Sequence, residues 1–403
     1  MKTMQINQIS INEEFPINKW INYLNNAAYC PVPRKVLQKN ASYLQEYSEM
    51  GPDSGFVKLD EYVEEARYAA SALINCNPEE IVFTESITHG INLIAEGYKF
   101  SQKGNIILRE SSKDHVANFL PWLKRSKENN VKIKVTGSND EGDIDLDRLE
   151  IYMRNNPSGI LSVSHALYNI GTILDVETIA EIAHKHNFRI FVDAGQTVGC
   201  LPVDVKKLNC DFMAFSGYKW LCSPPGIGVL YIKKEIQKEV NYFGMDVRSL
   251  ESEKEGVRVI LKFTDKDYSL KDGPKRFEAG FRNYTGAVGL LEAIRFITNY
   301  GIENVRSRNI LLTSRARQSL SDVTGIEFYG PEEGNRRTSI ISFNIRNVKP
   351  SELVAYLLEK NCVMAAREIG SLGIVRISPH YYNTEEQIDQ CISFIKEFIN
   401  EKE

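Results

Sequence analysis

Little in this sequence points outside the cell or toward another macromolecule. The cysteines are seven in number (Cys30, Cys76, Cys200, Cys210, Cys222, Cys362 and Cys391), scattered, and never spaced C-x-x-C. That argues against a disulfide framework and a structural zinc site, and leaves small buried apolar residues as the expected reading of most of them. The six histidines (His89, His115, His165, His184, His186 and His380) show no metal-ligand spacing. Apolar runs are short: IGVLYI at 227–232 is strand-sized and far below a membrane span. The opening MKTMQINQISINEEF lacks the apolar stretch of a secretory signal. Basic charge is not in excess, with 49 Lys and Arg against 53 Asp and Glu, so there is no electrostatic footprint for nucleic acid or an anionic membrane. No repeat or low-complexity segment stands out. A cytoplasmic globular protein is expected, and 403 residues are too many for one simple core.

What is present is a rhythm. Strand-sized apolar runs at 105–109, 131–135, 159–165, 188–193, 211–215 and 227–232 alternate with amphipathic stretches at 116–126, 145–154 and 176–186. Such alternation predicts right-handed crossovers and a mainly parallel sheet covered on both faces, with ligands at the carboxyl ends of the strands. The charge-rich stretch 249–276 breaks the rhythm and reads as an excursion. Beyond it, 287–321 predicts two helices, 338–345 and 374–378 strands, and 350–360 and 384–398 helices, a smaller α+β unit. The first twenty or so residues read as an arm.

The chemistry concentrates in 188–228. Asp193 ends an apolar strand, and Lys219 follows another, ahead of a Pro-Pro-Gly turn. A lysine with a buried stem has its ammonium disfavoured, and a neutral amine is what Schiff-base chemistry needs. A carboxylate beside a ring nitrogen keeps that nitrogen protonated, as a pyridoxal electron sink requires. Spacing alone is weak evidence: a strand-end aspartate is more often a helix cap, and a lone lysine more often solvated.

Eight segments in order extend the signal: YLNNAA (23–28), FTESITHGINLIA (83–95), DHVANFLPW (114–122), VSHALYNIGTILD (163–175), FVDAGQTVG (191–199), FSGYKW (215–220), FEAGFRNYTG (277–286) and VRISPHYYNTEEQID (375–389). In these the chain resembles the class V aminotransferases. They are a branch of the fold-type I pyridoxal 5'-phosphate enzymes that includes cysteine desulfurases, selenocysteine lyases and isopenicillin N epimerase-like proteins. The resemblance implies a large domain (23–286) with a mainly parallel seven-stranded type of sheet, a small C-terminal α+β domain (287–403), and an arm (1–22) that packs in part on the latter. It also implies an amino-acid-like small-molecule substrate and a homodimer with the site near its interface. Lys219 matches the Schiff-base lysine and Asp193 the partner of the pyridine nitrogen. Gln196 matches the group bonded to the cofactor's phenolic oxygen. Ser86, Ile87 and Thr88 match the phosphate cup, joined by Ser216 and Tyr218. Arg376 matches the arginine that holds the substrate carboxylate. Asn25 and Ala28, with Tyr29, Phe56 and Tyr284, fall where the pocket wall is expected.

The sequence also departs from the family. Val116 stands where desulfurases place a histidine over the cofactor ring, and His115 beside it reads as an exposed loop residue. Tyr168 replaces an asparagine near the phenolic oxygen, a role its hydroxyl or Asn169 could fill. Phe281 replaces a phosphate-binding threonine, with Arg282 either standing in for it or forming a surface ion pair. His380 reads as part of a structural turn. The nucleophilic loop cysteine is missing: the region reads KNCVMAAREIGSLGIVRIS, and its single thiol, Cys362, aligns with a buried strand. Arg367 in the shortened loop is open between a substrate and a structural role. The expected function is a pyridoxal-phosphate enzyme acting on an amino acid or related carboxylate-bearing amine through Lys219 and Cα deprotonation. Cysteine desulfurase-like or C–S lyase activity, and a non-catalytic cofactor-binding subunit, are the alternatives.

Overall fold

The computed structural model describes residues 8–402 except 102–103, 111–112, 242–244, 248, 256–257 and 281. Residues 1–7 of the expected arm and Phe281 thus lie outside the described residues, as does the side chain of Phe56. The rest of the arm enters through α1 (Gln8–Glu13). Phe15 after it stacks on Tyr382 at 4.0 Å between ring centroids and meets Phe296 and Tyr381 edge-on. The expected opening strand is only two residues long, β1 (Asn22–Tyr23), and pairs with 362–363 near the C-terminus. Helices α2 (Arg34–Met50) and α3 (Pro52–Leu73) follow, separated by Gly51.

The large sheet is then laid down as β2 (Ile81–Thr84), α4 (Ile87–Gly97), β3 (Asn105–Arg109), α5 (Leu120–Asn129), β4 (Lys132–Thr136), α6 (Leu146–Arg154), β5 (Gly159–Ser164), α7 (Val176–Lys185), β6 (Phe188–Asp193), α8 (Val205–Leu208), β7 (Phe212–Ser216) and β8 (Gly228–Ile232). Seven strands are ordered β2-β8-β7-β6-β5-β3-β4. All neighbours are parallel except β8, which runs against both β7 and β2. Successive residues of β6 feed opposite faces: Ile190 and Val192 enter one apolar core with α7, Phe191 the other with α4. Burial on both faces is why these strands read as unbroken apolar runs. Edge strand β4 carries Lys132 and Lys134 instead. Asp145 and Asp175 cap α6 and α7, accepting from the backbone N–H of Arg148 and Thr178.

Two expectations need correction. The helix expected at 116–126 is a single 3-10 turn at Val116–Asn118 and then α5, with Pro121 in its first turn, where a missing N–H costs nothing. The excursion at 249–276 contains an antiparallel hairpin, β9 (Ser252–Glu255) and β10 (Arg258–Leu261). Much of it is exposed, so it carries no apolar alternation to read.

The chain then builds α9 (Tyr284–Tyr300), α10 (Ile302–Ser321), β11 (Ile326–Tyr329), β12 (Ile341–Ile345), α11 (Pro350–Glu359), β13 (Cys362–Val363), β14 (Ala365–Ile369), β15 (Leu372–Ile377) and α12 (Glu385–Lys402). The second sheet is antiparallel, ordered β11-β12-β15-β14, and shares a core with α10, α11 and α12 built on Leu312, Phe343, Leu353 and Ile395. Residue 286 falls inside α9, whose Leu290 and Ile294 belong to the first core. We therefore propose a domain division at Gly301, between α9 and α10. Among the described residues no helix is long and apolar enough to cross a membrane.

Candidate active site

Parallel strands bring their carboxyl ends to one edge, so Asp193 closes β6 opposite Ala214, and Ser216 closes β7 two residues farther on. By the two-residue alternation Asp193 shares the face of Phe191, the face covered by α4. Lys219 lies in the turn after β7. That turn is held by Cys222 N–H donating to the Lys219 carbonyl (2.8 Å) and Ser223 N–H to the Gly217 carbonyl (3.0 Å). The close meeting of the groups is legible at Gly195, whose own N–H donates to Asp193 Oδ1 at 2.9 Å. A Cβ placed on Gly195 would lie 3.0 Å from Asp193 Oδ1, 3.1 Å from Ile87 Cδ1 and 3.2 Å from Lys219 Nζ. Burial dominates both titrating groups. It pushes Lys219 below its usual range, with Asp193 opposing and Arg376 adding to the shift. It pushes Asp193 above its own range, with Lys219 and the Gly195 N–H opposing.

Across this pair lies the N-terminus of α4. Ser86 caps it, its Oγ accepting from His89 N–H, while Ile87 N–H donates to Ser216 Oγ at 3.1 Å. The Tyr218 ring stacks on Tyr29 at 5.5 Å. Gly228 of β8 permits the approach: a Cβ there would stand 2.6 Å from the Ser86 carbonyl carbon. Thr88 in the first helical turn is exposed. Ser86, Ile87, Thr88, Ser216 and Tyr218 are thus gathered around a helix N-terminus, where N–H groups and the dipole favour an anion.

The opposite wall comes from the second sheet. Arg376 of β15 is 1% exposed. It donates to the Tyr168 carbonyl (2.6 Å) and to Asn25 Oδ1 (3.0 Å). Its Nε is buried without a partner, and among the described residues no carboxylate forms an ion pair with it. Burial, followed by the nearby charge of Arg367, pushes it down to about 9. A guanidinium stays charged in proteins, so a buried one without a carboxylate partner favours an incoming anion. Ala28 N–H donates to the Asn25 carbonyl, fixing that turn.

Some expected roles change. Gln196 donates through Nε2 to the Ala27 carbonyl (3.0 Å) and accepts at Oε1 from Trp220 Nε1 (2.9 Å), so one amide hydrogen is left for a cofactor oxygen. Asn169 Nδ2 is buried without a partner. Val116 is 54% exposed. His115, expected to be an exposed loop residue, packs edge-on against Tyr168 at 5.0 Å. Burial pushes it below its usual range, and Lys219 and Arg376 add to the shift, which places it toward the site. Its Nδ1 accepts from Ala117 N–H at 3.2 Å, so the neutral ring carries its proton on Nε2. Arg282 belongs to an ionic network with Glu278, Asp60 and Glu64. Tyr284 is buried and reaches Asp60 through its hydroxyl.

Cys362 is a free thiol fully buried in the second core with Cys391, and is not part of this site. The β14–β15 pairing runs to Ile369 opposite Leu372, so only Gly370 and Ser371 connect the strands, Gly370 with φ 61°. A two-residue hairpin turn of this kind has no length to carry a thiol toward Lys219. Sequence reasoning missed one grouping. Cys30, Cys222 and His380, all buried, have ligand atoms within 4.8 Å of one another, and Cys30 N–H donates to the Tyr218 carbonyl. They come from three distant segments and leave no local signal.

What this edge of the sheet offers is a desolvated amine, a carboxylate beside it and two places for anions, the arrangement of an α/β enzyme that works through an amine-reactive phosphate cofactor. The chain belongs to the Aminotransferase class-V family, whose profile matches residues 22–391, and it is an enzyme of that pyridoxal-phosphate-dependent family. It is 32% identical over 397 residues to a probable cysteine desulfurase of Methanothermobacter thermautotrophicus, covering 94% of each chain. A probable cysteine desulfurase of Borreliella burgdorferi is 31% identical over 416 residues, covering 97% of this chain and 96% of its own. The solved apo structure of the cysteine desulfurase from Thermococcus onnurineus NA1 superposes with a TM-score of 0.88 at 27% identity, over 99% of this chain and 100% of that one. The residues fit the family's cofactor: the cup at α4 suits its phosphate, Asp193 its ring nitrogen, and Lys219 its carbonyl carbon.

Proposed function

We propose that this enzyme cleaves the carbon–sulfur bond of a cysteine-type amino acid. The observation that carries the active-site assignment is the meeting of Lys219 Nζ and Asp193 Oδ1 over Gly195. The likeness to proteins named cysteine desulfurase favours C–S cleavage over the more general Cα chemistry expected from sequence. The bound cofactor supplies the electron sink for charge developing at Cα. Arg376 binds the substrate carboxylate, a planar fork suited to bidentate contact. Lys219, whose ammonium burial disfavours, removes the Cα proton. Asp193 holds the proton on the ring nitrogen. His115, with its proton on Nε2, is the group assigned to protonate the leaving sulfur. Without a loop thiol to accept sulfur, the products would be pyruvate, ammonia and sulfide rather than alanine and a protein persulfide. A homodimer is part of this proposal.

The test begins with the visible spectrum of the PLP-loaded protein. Wild type should show a band that borohydride abolishes, and Lys219→Ala should not. Cysteine should then yield sulfide and pyruvate in equal amounts. Cofactor uptake with no sulfur release would overturn the C–S reading, and a persulfide trapped on the protein would restore a thiol nucleophile. Sedimentation at micromolar concentration reads the dimer.

A further inference from the structure

The β14–β15 hairpin presents two cations on one face. Directly opposed residues of an antiparallel pair point the same way, and side chains alternate along a strand. Arg376 is opposite Ala365, and Arg367 is two residues along from Ala365, so Arg367 and Arg376 share a face as diagonal neighbours roughly 7–8 Å apart at the backbone. Ser342, opposite Arg376 on β12, shares that face too and hydrogen-bonds the Asn169 carbonyl, so the face is turned toward the 168–169 segment and the Lys219 site. The register therefore sets Arg367 beside Arg376 on the face that meets the 168–169 segment. Arg367 Nη1 donates to the Ala366 carbonyl (2.8 Å), and among the described residues neither arginine has a carboxylate partner. Glu368 points to the opposite face by alternation. Asp114, the buried acid nearest His115, is already bonded by Ser164 Oγ and the His115 N–H. Two unneutralised cations side by side repel each other unless an anion bridges them or each binds its own.

We propose that Arg367 is a specificity-determining residue and that the substrate is an amino acid with an anionic side chain, its α-carboxylate on Arg376 and its distal carboxylate or sulfur oxyanion on Arg367. The proposal deepens the C–S lyase reading and rests on it for the identity of the site. Arg367 stands on strand β14, paired with Ile374, and not in the two-residue turn, so its backbone is fixed by the sheet.

The test is calorimetric titration of the PLP-loaded protein with succinate and with propionate, which read the two cations without turnover. Wild type should bind succinate at least tenfold more tightly than propionate, as a second charge-assisted contact allows. Arg367→Gln should erase that preference and leave propionate binding unchanged, while Arg367→Lys should restore part of it. Equal affinities in wild type, or a preference that survives in Arg367→Gln, would overturn the proposal. A protein that takes up no PLP fails the earlier reading instead, and the borohydride-sensitive band tells the two failures apart. Turnover of S-carboxymethylcysteine and of cysteine sulfinate, each compared with cysteine, then separates a carboxylate from a sulfur oxyanion. Faster turnover of plain cysteine than of both counts against the proposal.

Discussion

Substituting Gly195 by alanine is the sharpest probe of the site, because a single methyl group would touch the groups said to do the chemistry. The backbone at 195 is not left-handed, so alanine adds no conformational strain and acts through volume alone. Its Cβ would stand 3.0 Å from Asp193 Oδ1 and 3.2 Å from Lys219 Nζ, tighter than ordinary contact, so both groups must withdraw slightly. Mild overpacking of this kind costs about 1 kcal/mol, the low end of the usual range. The functional cost is larger: displacement of a reacting group by a fraction of an ångström lowers turnover by roughly tenfold or more. Gly137→Ala is the control, since its Cβ would meet only Arg148 Nη1, at 3.9 Å. Urea unfolding gives the stability change, titration of the visible band gives cofactor affinity, and sulfide release gives turnover. Gly195→Ala should lose a little stability, bind cofactor more weakly and turn over at least tenfold more slowly, while Gly137→Ala should match wild type. Wild-type cofactor affinity and turnover in Gly195→Ala would refute the placement of Lys219 and Asp193 around this residue.

Other consequences follow from buried groups. Burial pushes His165 down to about 4 from 6.5, so between those values the unfolded chain binds a proton that the folded one refuses. Stability from this residue is therefore full above pH 6.5 and falls by about 3 kcal/mol as pH drops to 4. His165→Phe should flatten that limb of the stability–pH curve; an unchanged acid limb counts against it. Arg67, 2% exposed, pairs with Glu278 through two contacts of 2.7 and 2.9 Å, and the carboxylate also accepts from Phe83 N–H. Arg67→Ala takes two close contacts from a buried carboxylate, leaving it Arg282 Nε at 3.3 Å and the Phe83 N–H, and should cost about 3 kcal/mol by urea unfolding, whereas Arg67→Met with Glu278→Gln should recover much of it. Cys362→Ser should leave sulfur release unchanged, since the thiol is enclosed in the second core; loss of activity with intact folding would make it the missing nucleophile.

The large sheet was legible because its central strands are buried on both faces and end in residues of a different character. Apolar runs that stop at Asp193 and Ser216 mark both the strand and its functional edge. The elements that escaped reading are those whose geometry depends on partners. The β9–β10 hairpin is largely exposed and has no hydrophobic period to betray it. His115 escaped because a helix was expected from residue 116; the 3-10 turn that forms instead makes His115 its cap and sets its ring against Tyr168. Gln196 was expected at the site and is there, but sequence could not show that Ala27 and Trp220 claim most of its bonding capacity. The shared face of Arg367 and Arg376 depends on strand register, which the sequence left open.

The β14–β15 turn decides more of the chemistry than any single side chain. A thiol that carries sulfur away from a substrate must approach the reacting carbon, accept, and withdraw, which calls for a loop with slack. Here Ile369 is still paired with Leu372, and Gly370 takes the positive φ that a two-residue turn demands. The backbone on either side is held by sheet hydrogen bonds, so what the hairpin can offer the substrate is fixed in position. Fixed cations suit recognition, since a guanidinium ordered before the ligand arrives loses little freedom on binding it. A hairpin that recognises anions rather than shuttling sulfur implies that any sulfur released leaves with the product. The ratio of pyruvate to alanine formed from cysteine is therefore a readout of this turn as much as of Lys219. Lengthening it, by inserting a Gly-Ser-Gly segment after Gly370, should weaken succinate binding while leaving the borohydride-sensitive band intact. If binding is unaffected, the rigidity of the hairpin is not what holds the two arginines in place.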